Sequence, residues 1–281
     1  MNENMEVGPL SLEELCLDKY VSMLELCTRL YSNNPTASVD SLSTLWWKNK
    51  YFFTEFLAEL LFKKMKLRGQ CNDALMHVFS DASSCRLRRV NLSKSDVSDN
   101  GLEKLKCQQL IELDVSGCKK LTLSGLTKFF NCQPTLVVLK MSNMEFEDEE
   151  CFAFKSFELN SLKNLQELDV SFSKLPVAFL RDTVGNMTKM VHLNLEGCYH
   201  PEHDSDSQYR SFNVADFLET GEQRLSNIVD LDLSGHIVPS LNPLMRLKGL
   251  VQQHFEPLVN GGGGWCLSKR RLPVTSQGGE V

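Results

Sequence analysis

A six-residue frame, apolar at its first, fourth and sixth positions, recurs six times along this 281-residue chain. It occurs as Leu87/Val90/Leu92, Leu110/Leu113/Val115, Leu136/Leu139/Met141, Leu165/Leu168/Val170, Met190/Leu193/Leu195 and Ile228/Leu231/Leu233, with starts 23, 26, 29, 25 and 38 residues apart. One match would mean little, since 44 residues are Leu; six in a single order define a repeat. The last two apolar positions of the frame lie two residues apart, so they share one face of a short strand while polar residues occupy the other. A unit of roughly 25 residues cannot bury its apolar edge alone, which forces successive units to stack.

The period and frame are those of a leucine-rich repeat. The expected fold is α/β: a leucine-rich-repeat solenoid of about six repeats, its strands paired in parallel, preceded by an N-terminal helical region. The return paths read as helices, since Leu123, Leu126, Phe129 and Phe130 recur with helical spacing. Gly117, Gly197 and Gly235 follow the strands where the chain must turn sharply. Cys118, Cys198 and His236 sit three residues beyond the last strand position. In this frame that slot faces inward towards backbone groups, so a structural role outweighs thiol chemistry or metal ligation there.

Composition narrows the function classes. Net charge is −6, no long basic stripe is present, and the one run of three consecutive basic residues is Lys269-Arg270-Arg271, which argues against a nucleic-acid binder. No apolar run approaches the roughly 18 residues needed to span a membrane. The start of the chain lacks a charged-then-apolar signal pattern, so a cytoplasmic and/or nuclear location is expected. Ten cysteines are spread along the chain without a Cys-x-x-Cys pair, as expected of buried thiols rather than a disulfide framework. Cys198, His200 and His203 stand beside Asp204 and Asp206; zinc would need a fourth ligand in closed geometry, and a surface insertion explains the segment as well. No catalytic constellation, phosphate cradle or cofactor motif emerges, so no enzyme activity, metal or cofactor is expected.

Residues 11 to 31 read as one amphipathic helix, with Ser11 and Glu14 in capping-box spacing and Leu12, Leu15, Cys16, Tyr20, Met23, Leu26, Cys27 and Leu30 on one stripe. A second helical stretch from about Val39 to Lys66 carries Trp46, Trp47, Phe52, Phe53, Phe56, Leu57, Leu60, Leu61 and Phe62. That is more apolar surface than one helix can bury on its own, so it covers the end of the solenoid, a partner, or both.

Ser11-Leu12-x-x-x-Cys16 resembles the elongin-C-binding box of cullin-two ubiquitin ligase receptors, with Tyr20 where that box has an aliphatic residue. Phe53-Thr54-Glu55-Phe56-Leu57 resembles the cullin-two box, with Thr54 in place of Pro. Together with Phe79-Ser80-Asp81, Cys85-Arg86-Leu87, Asp114-Val115-Ser116-Gly117-Cys118 and Leu231-Asp232-Leu233-Ser234-Gly235-His236, this arrangement resembles the Zyg-eleven/Zer-one family over about residues 10 to 255. The resemblance implies a non-catalytic substrate receptor that joins elongin C, elongin B and cullin two to a target protein for ubiquitination. Ser11, Leu12, Cys16 and Tyr20 would dock elongin C, and Phe53, Thr54 and Leu57 would lie near the cullin. A leucine-rich-repeat scaffold without ligase association is the alternative.

Solenoids usually bind partners on the concave strand face. There the positions alternating with the core are Arg89, Glu112, Asp114, Lys140, Glu167, Asp169, His192, Glu196, Asp230 and Asp232. They form a largely acidic stripe, suited to a basic partner; alternatively Asp114, Asp169 and Asp232 bond to neighbouring backbone. The expected organisation is a flexible N-terminus (1–10), a helical region with the two boxes (11–80), the repeats (81–259) and a disordered Gly-rich tail (260–281). Residues 241–255 read as a helix. The tail begins where the family continues into armadillo-like repeats, so it reads as a substituted end.

Overall fold

The fold is described from a computed structural model, which covers residues 15–23, 25, 54–83, 85–153, 162–176, 179, 187–198, 227–234, 236–238, 255–257 and 265–267. Six short strands form one parallel sheet in chain order: β1 (Arg89–Asn91), β2 (Glu112–Asp114), β3 (Val138–Lys140), β4 (Glu167–Asp169), β5 (His192–Asn194) and β6 (Asp230–Asp232). The register is that of the repeat. Val90 pairs with Leu113, and Leu113, Leu139, Leu168, Leu193 and Leu231 continue the row. These central residues are buried while their neighbours on either side face out, as a two-residue period requires. An α/β architecture with a parallel sheet, of leucine-rich-repeat type, follows from this pairing.

Strands β1–β5 each end in the same turn. Lys94, Gly117, Asn143, Phe172 and Gly197, each two residues past the last apolar position of its frame, have φ between 54° and 66°. Glycine enters this left-handed region without penalty, whereas the three other residues are strained there. Gly235, the sixth member, lies outside the described residues.

The return paths contain helices capped across repeats. Helix α3 (Asp73–Met76), α4 (Asp99–Glu103) and α5 (Leu123–Phe130) follow one another along the solenoid. Each begins at a capping side chain, Asn72, Ser98 and Thr122. Asp73 accepts from the Ser98 N–H and hydroxyl, and Asp99 does the same for Thr122. Gly101 and Gly125 make room for this ladder: a Cβ on either would collide with the Asp73 or Asp99 carboxyl. A second ladder runs through buried Gln108, whose Oε1 accepts from the Leu87 N–H while its Nε2 donates to the carbonyls of Phe79 and Cys85. Gln133 repeats the motif, accepting from Leu110 and donating to Lys106.

At the N-terminal end the helix α1 (15–23) lies on α2 (Glu55–Leu67). Asp18 receives Lys64 at 3.1 Å and Arg68 at 3.0 Å, and Arg68 also donates to the Asp18 carbonyl and the Ser22 hydroxyl. Leu17 and Val21 enter the same buried cluster as Ala58, Leu61 and Met65, and Phe62 meets Phe79 edge-on at 5.4 Å.

The sequence expectations need correction at three points here. The buried face of α1 is Leu17 and Val21, not the expected stripe; Leu15, Cys16 and Met23 face solvent and Tyr20 is half-buried. Residues 17 and 21 are one helical turn apart, whereas 15 is two steps, about 200°, away from 17. The second helical stretch is not continuous through residue 54. Thr54 has extended backbone, and its hydroxyl accepts from the Leu57 N–H, so a helix starts there. In the segment expected to be a disordered tail, β9 (Trp265–Leu267) pairs antiparallel with both β7 (Ile237–Val238) and β8 (Phe255–Pro257). Trp265 and Leu267 flank Cys266 with strand periodicity, enough apolar character to join a sheet. Phe255 is thus in a strand rather than ending a helix. Among the described residues no helix is long and apolar enough to cross a membrane.

Candidate functional site

The concave face presents the outward positions of β1–β6 in two rows. One row is Arg89, Glu112, Val138, Glu167, His192 and Asp230; the other is Asn91, Asp114, Lys140, Asp169, Asn194 and Asp232. The expected single acidic stripe is in fact divided. Over β1–β3 the charges form a chain of ion pairs: Glu59 of α2 to Arg89 at 3.8 Å, Arg89 to Glu112 at 3.9 Å, and Glu112 to Lys140 at 3.8 Å. Such long, partly exposed pairs each contribute at most about 1 kcal/mol. Their effect is electrostatic balance rather than stability. Beyond Lys140 the sheet face has no Lys or Arg on β4–β6. Glu167, Asp169, Asp230 and Asp232 remain, joined by His192, whose Nδ1 lies 3.7 Å from Asp230. A shallow groove runs over this half, lined by Lys140, Glu167, Asp169, His192, Asp230 and Asp232 among others.

Part of the acidic signal is local. Asp114, Asp169 and Asp232 each accept at 3.0 Å from the N–H two residues on, at Ser116, Ser171 and Ser234. Asn91 and Asn194 do the same for Ser93 and Glu196. These five side chains shape the strand-to-turn exits. Asn91 and Asn194 are therefore equivalent to the three aspartates, although their lack of charge hides them in a search for acidic residues. Glu196 lies beyond β5, which ends at Asn194, so it is a turn residue and not a strand-face one.

The inward slot is structural. The Cys118 thiol donates to the Leu92 carbonyl at 3.0 Å, and the Cys198 thiol to Val170 at 2.6 Å. His236 Nε2 reaches the Leu195 carbonyl at 2.6 Å. Ser173, in the same slot, donates to Met141 and accepts from the Met144 N–H. Burial pushes the Cys198 thiol up to about 12 and also raises Cys118, so both stay protonated donors. Ser173 carries no apolar or metal-ligand signal in the sequence, so only its contacts place it in this slot. Among the described residues no group of three or more His, Cys, Asp or Glu could hold a metal. His200, His203, Asp204 and Asp206 lie outside them.

Of the box residues, Ser11, Leu12 and Phe53 lie outside the described residues. Cys16 is exposed on α1, beside exposed Leu15 and on the side away from Leu17 and Val21. Tyr20 is half-buried and packs against the core. Thr54 is the cap of α2, Leu57 is half-buried one turn on, and Phe56 between them is 66% exposed. The structure does not bring the α1 and concave-face residues into one site. They are separate surfaces, one on the N-terminal helices and one on the sheet.

No family model matches the chain. Among curated proteins it is similar to the protein zer-1 homologs of Homo sapiens and Pongo abelii, at 25% identity over 234 aligned residues, covering 61% of this chain and 30% of each relative. The mouse protein zer-1 homolog is 32% identical over 81 residues, 28% of this chain and 10% of that one. The F-box protein SKIP1 of Arabidopsis thaliana is 23% identical over 154 residues, 49% of this chain and 51% of that one. Among solved structures, an internalin from Listeria monocytogenes superposes with a TM-score of 0.37 at 13% identity, covering 58% of this chain and 46% of that chain. The chain spans about 30% of the length of the zer-1 homologs it matches. These matches to zer-1 homologs make the chain a distant relative of the Zyg-eleven/Zer-one family.

Proposed function

We propose that the chain is a non-catalytic substrate-recognition adaptor of a cullin–elongin B/C ubiquitin ligase, a six-repeat solenoid behind a helical region (11–80) that docks the ligase. The observation that carries this reading is the two-sidedness of α1. Leu17 and Val21 are buried and Asp18 is tied to Lys64 and Arg68, so Leu15, Cys16 and Met23 are left as an apolar outward face on a fixed helix. Exposed apolar side chains on one helix face are what a helix-in-groove partner takes up. Elongin C would receive Ser11, Leu12 and Cys16, with Tyr20 at the margin. Cullin two would approach the start of α2 at Phe53, Thr54 and Leu57, where exposed Phe56 supports the placement. The relationship to zer-1 homologs and the match to an F-box protein agree with a ligase receptor; a cytoplasmic or nuclear location is part of the proposal.

Substrate proteins would occupy the concave face. The carboxylates of β4–β6, strands that carry no Lys or Arg, favour a basic segment there, drawn in by charge and weakened by salt. The test of the ligase reading is co-purification with elongin B/C of the wild-type chain and of Leu12→Ser and Cys16→Phe. The wild type is expected to bind and both variants to fail. No wild-type binding overturns the ligase reading, and full binding by both variants overturns the box as the contact. The scaffold alternative draws on the buried Leu17 and Val21, since a helix that seals the solenoid end needs no partner. It is the reading left standing if elongin does not bind.

A further inference from the structure

Where α2 crosses the first strand of the sheet, the two enclose a groove that shares Arg89, Asn91 and Glu112 with the β1 end of the concave face and is distinct from the groove over β4–β6. Its floor is apolar and buried, Phe62 from α2 and Val90 from β1, and Leu67 stands at its mouth, 75% exposed. The helix wall carries Lys63 and Lys66. Arg89 on the opposite wall is balanced by Glu59 and Glu112, and Glu59 also accepts from the Arg89 N–H at 3.1 Å, closing the edge of the sheet. Lys63 and Lys66 have no such balance: among the described residues neither has an ion pair or a hydrogen-bonding side chain. Two uncompensated ammonium groups beside an exposed leucine are an unusual feature on a chain of net charge −6.

We propose that this groove docks a short acidic segment of a partner protein, one that sets an apolar side chain over Leu67 and Phe62 and places carboxylates against Lys63 and Lys66. Charge complementarity selects the occupant. A basic segment would meet two unpaired ammonium groups, whereas a carboxylate gains from each of them. Burying Leu67 supplies the apolar part of the affinity, and the two charges supply register and on-rate. Two lysines over an apolar floor are too few for a nucleic-acid backbone, which is bound by neutralising many phosphates. The proposal uses neither Cys16 nor Thr54, so it stands or falls independently of elongin binding.

The test is selection of random twelve-residue peptides displayed on phage against the full chain, with a parallel selection against Lys63→Glu/Lys66→Glu. The expected result is a class of peptides with Asp or Glu within a few residues of Leu, Ile, Phe or Met, depleted at least tenfold on the double variant. One synthetic peptide of that class, followed by fluorescence anisotropy, should lose affinity as NaCl rises and lose it separately with Leu67→Ser. Should circular dichroism show the charge-reversed chain misfolded, Lys63→Gln/Lys66→Gln carries the same readout. A selection without an acidic class, or an acidic class retained equally by the lysine variants, overturns the proposal.

Discussion

His236 Nε2 lies 2.6 Å from the carbonyl oxygen of Leu195, a residue 41 positions earlier, and the imidazole is buried in the turn after β6. The bond carries the inward-slot ladder into the last strand of the sheet, where Cys118, Ser173 and Cys198 make the equivalent contact in earlier repeats.

The burial of that imidazole makes stability pH-dependent. Burial pushes the His236 pKa below its ordinary value, against the smaller opposing effects of the Leu195 carbonyl and Asp232. The unfolded chain therefore takes up a proton before the folded one does. Stability should be level above the ordinary histidine value, about 6.5, and fall as pH drops below it, by up to about 1.4 kcal/mol per pH unit until the folded imidazole also protonates. Urea unfolding of wild type and His236→Asn at pH 7.5, 6.5 and 5.5 tests this, since Asn keeps a donor and does not titrate. Equal slopes for the two chains would rule His236 out as the source.

The slot thiols should be chemically silent. Cys198, with its thiol pushed up to about 12, is expected to resist a thiol-specific disulfide reagent at pH 8 in the folded chain, while exposed Cys107 and Cys132 react. Cys198→Ser keeps a donor for the Val170 carbonyl; Cys198→Val leaves that carbonyl without it and should cost about 1–3 kcal/mol more. Reaction stoichiometry and urea midpoints provide the check.

The capping ladder depends on two missing side chains. Gly125→Ala drives a methyl group into the Asp99 carboxyl, which must then release the Thr122 N–H and hydroxyl. A loss of about 2–3 kcal/mol is expected. Adding Asp99→Ala removes the obstacle, so the double variant should be more stable than the sum of the single losses predicts. Simple additivity in thermal or urea melts would show that the two residues do not meet.

Phe172 adopts φ 55° at a turn where the next repeat uses Gly197 and the preceding one Asn143, and its side chain is 50% exposed. Phe172→Asn should raise stability by about 1 kcal/mol, since Asn tolerates the left-handed region better than a bulky aromatic residue. A Tm below that of the wild type would show that the ring's packing across Gly197 outweighs the backbone strain.

The surfaces were legible to different degrees. The concave residues follow from the frame, because each lies beside a core leucine on a short strand, and all but Glu196 take their expected places. Their charge balance does not follow. Arg89, Glu112 and Lys140 are distant in sequence and become one chain of ion pairs only when β1, β2 and β3 align. The paired lysines of the α2 groove carry no sequence signal, since their significance lies in the nearby carboxylates, Glu59 and Glu112, pairing with Arg89 and Lys140 instead. On α1, Leu15, Cys16 and Met23 look as good a core stripe as Leu17 and Val21, and amphipathicity alone cannot rank two apolar faces of one helix.

The sequence by itself determined the repeat, the direction of the strands and which residue of each strand is buried. Those depend on local periodicity: a two-residue alternation sends Leu113 inward and Glu112 and Asp114 outward wherever the strand is placed. The tertiary structure decided which charges are neutralised, which face of α1 is left open, that Gly101 and Gly125 make room for carboxylates from the preceding repeat, and that Trp265–Leu267 joins a strand pair. Each of these depends on distances between segments, and electrostatic balance and steric exclusion act over a few ångströms of space whatever the separation along the chain.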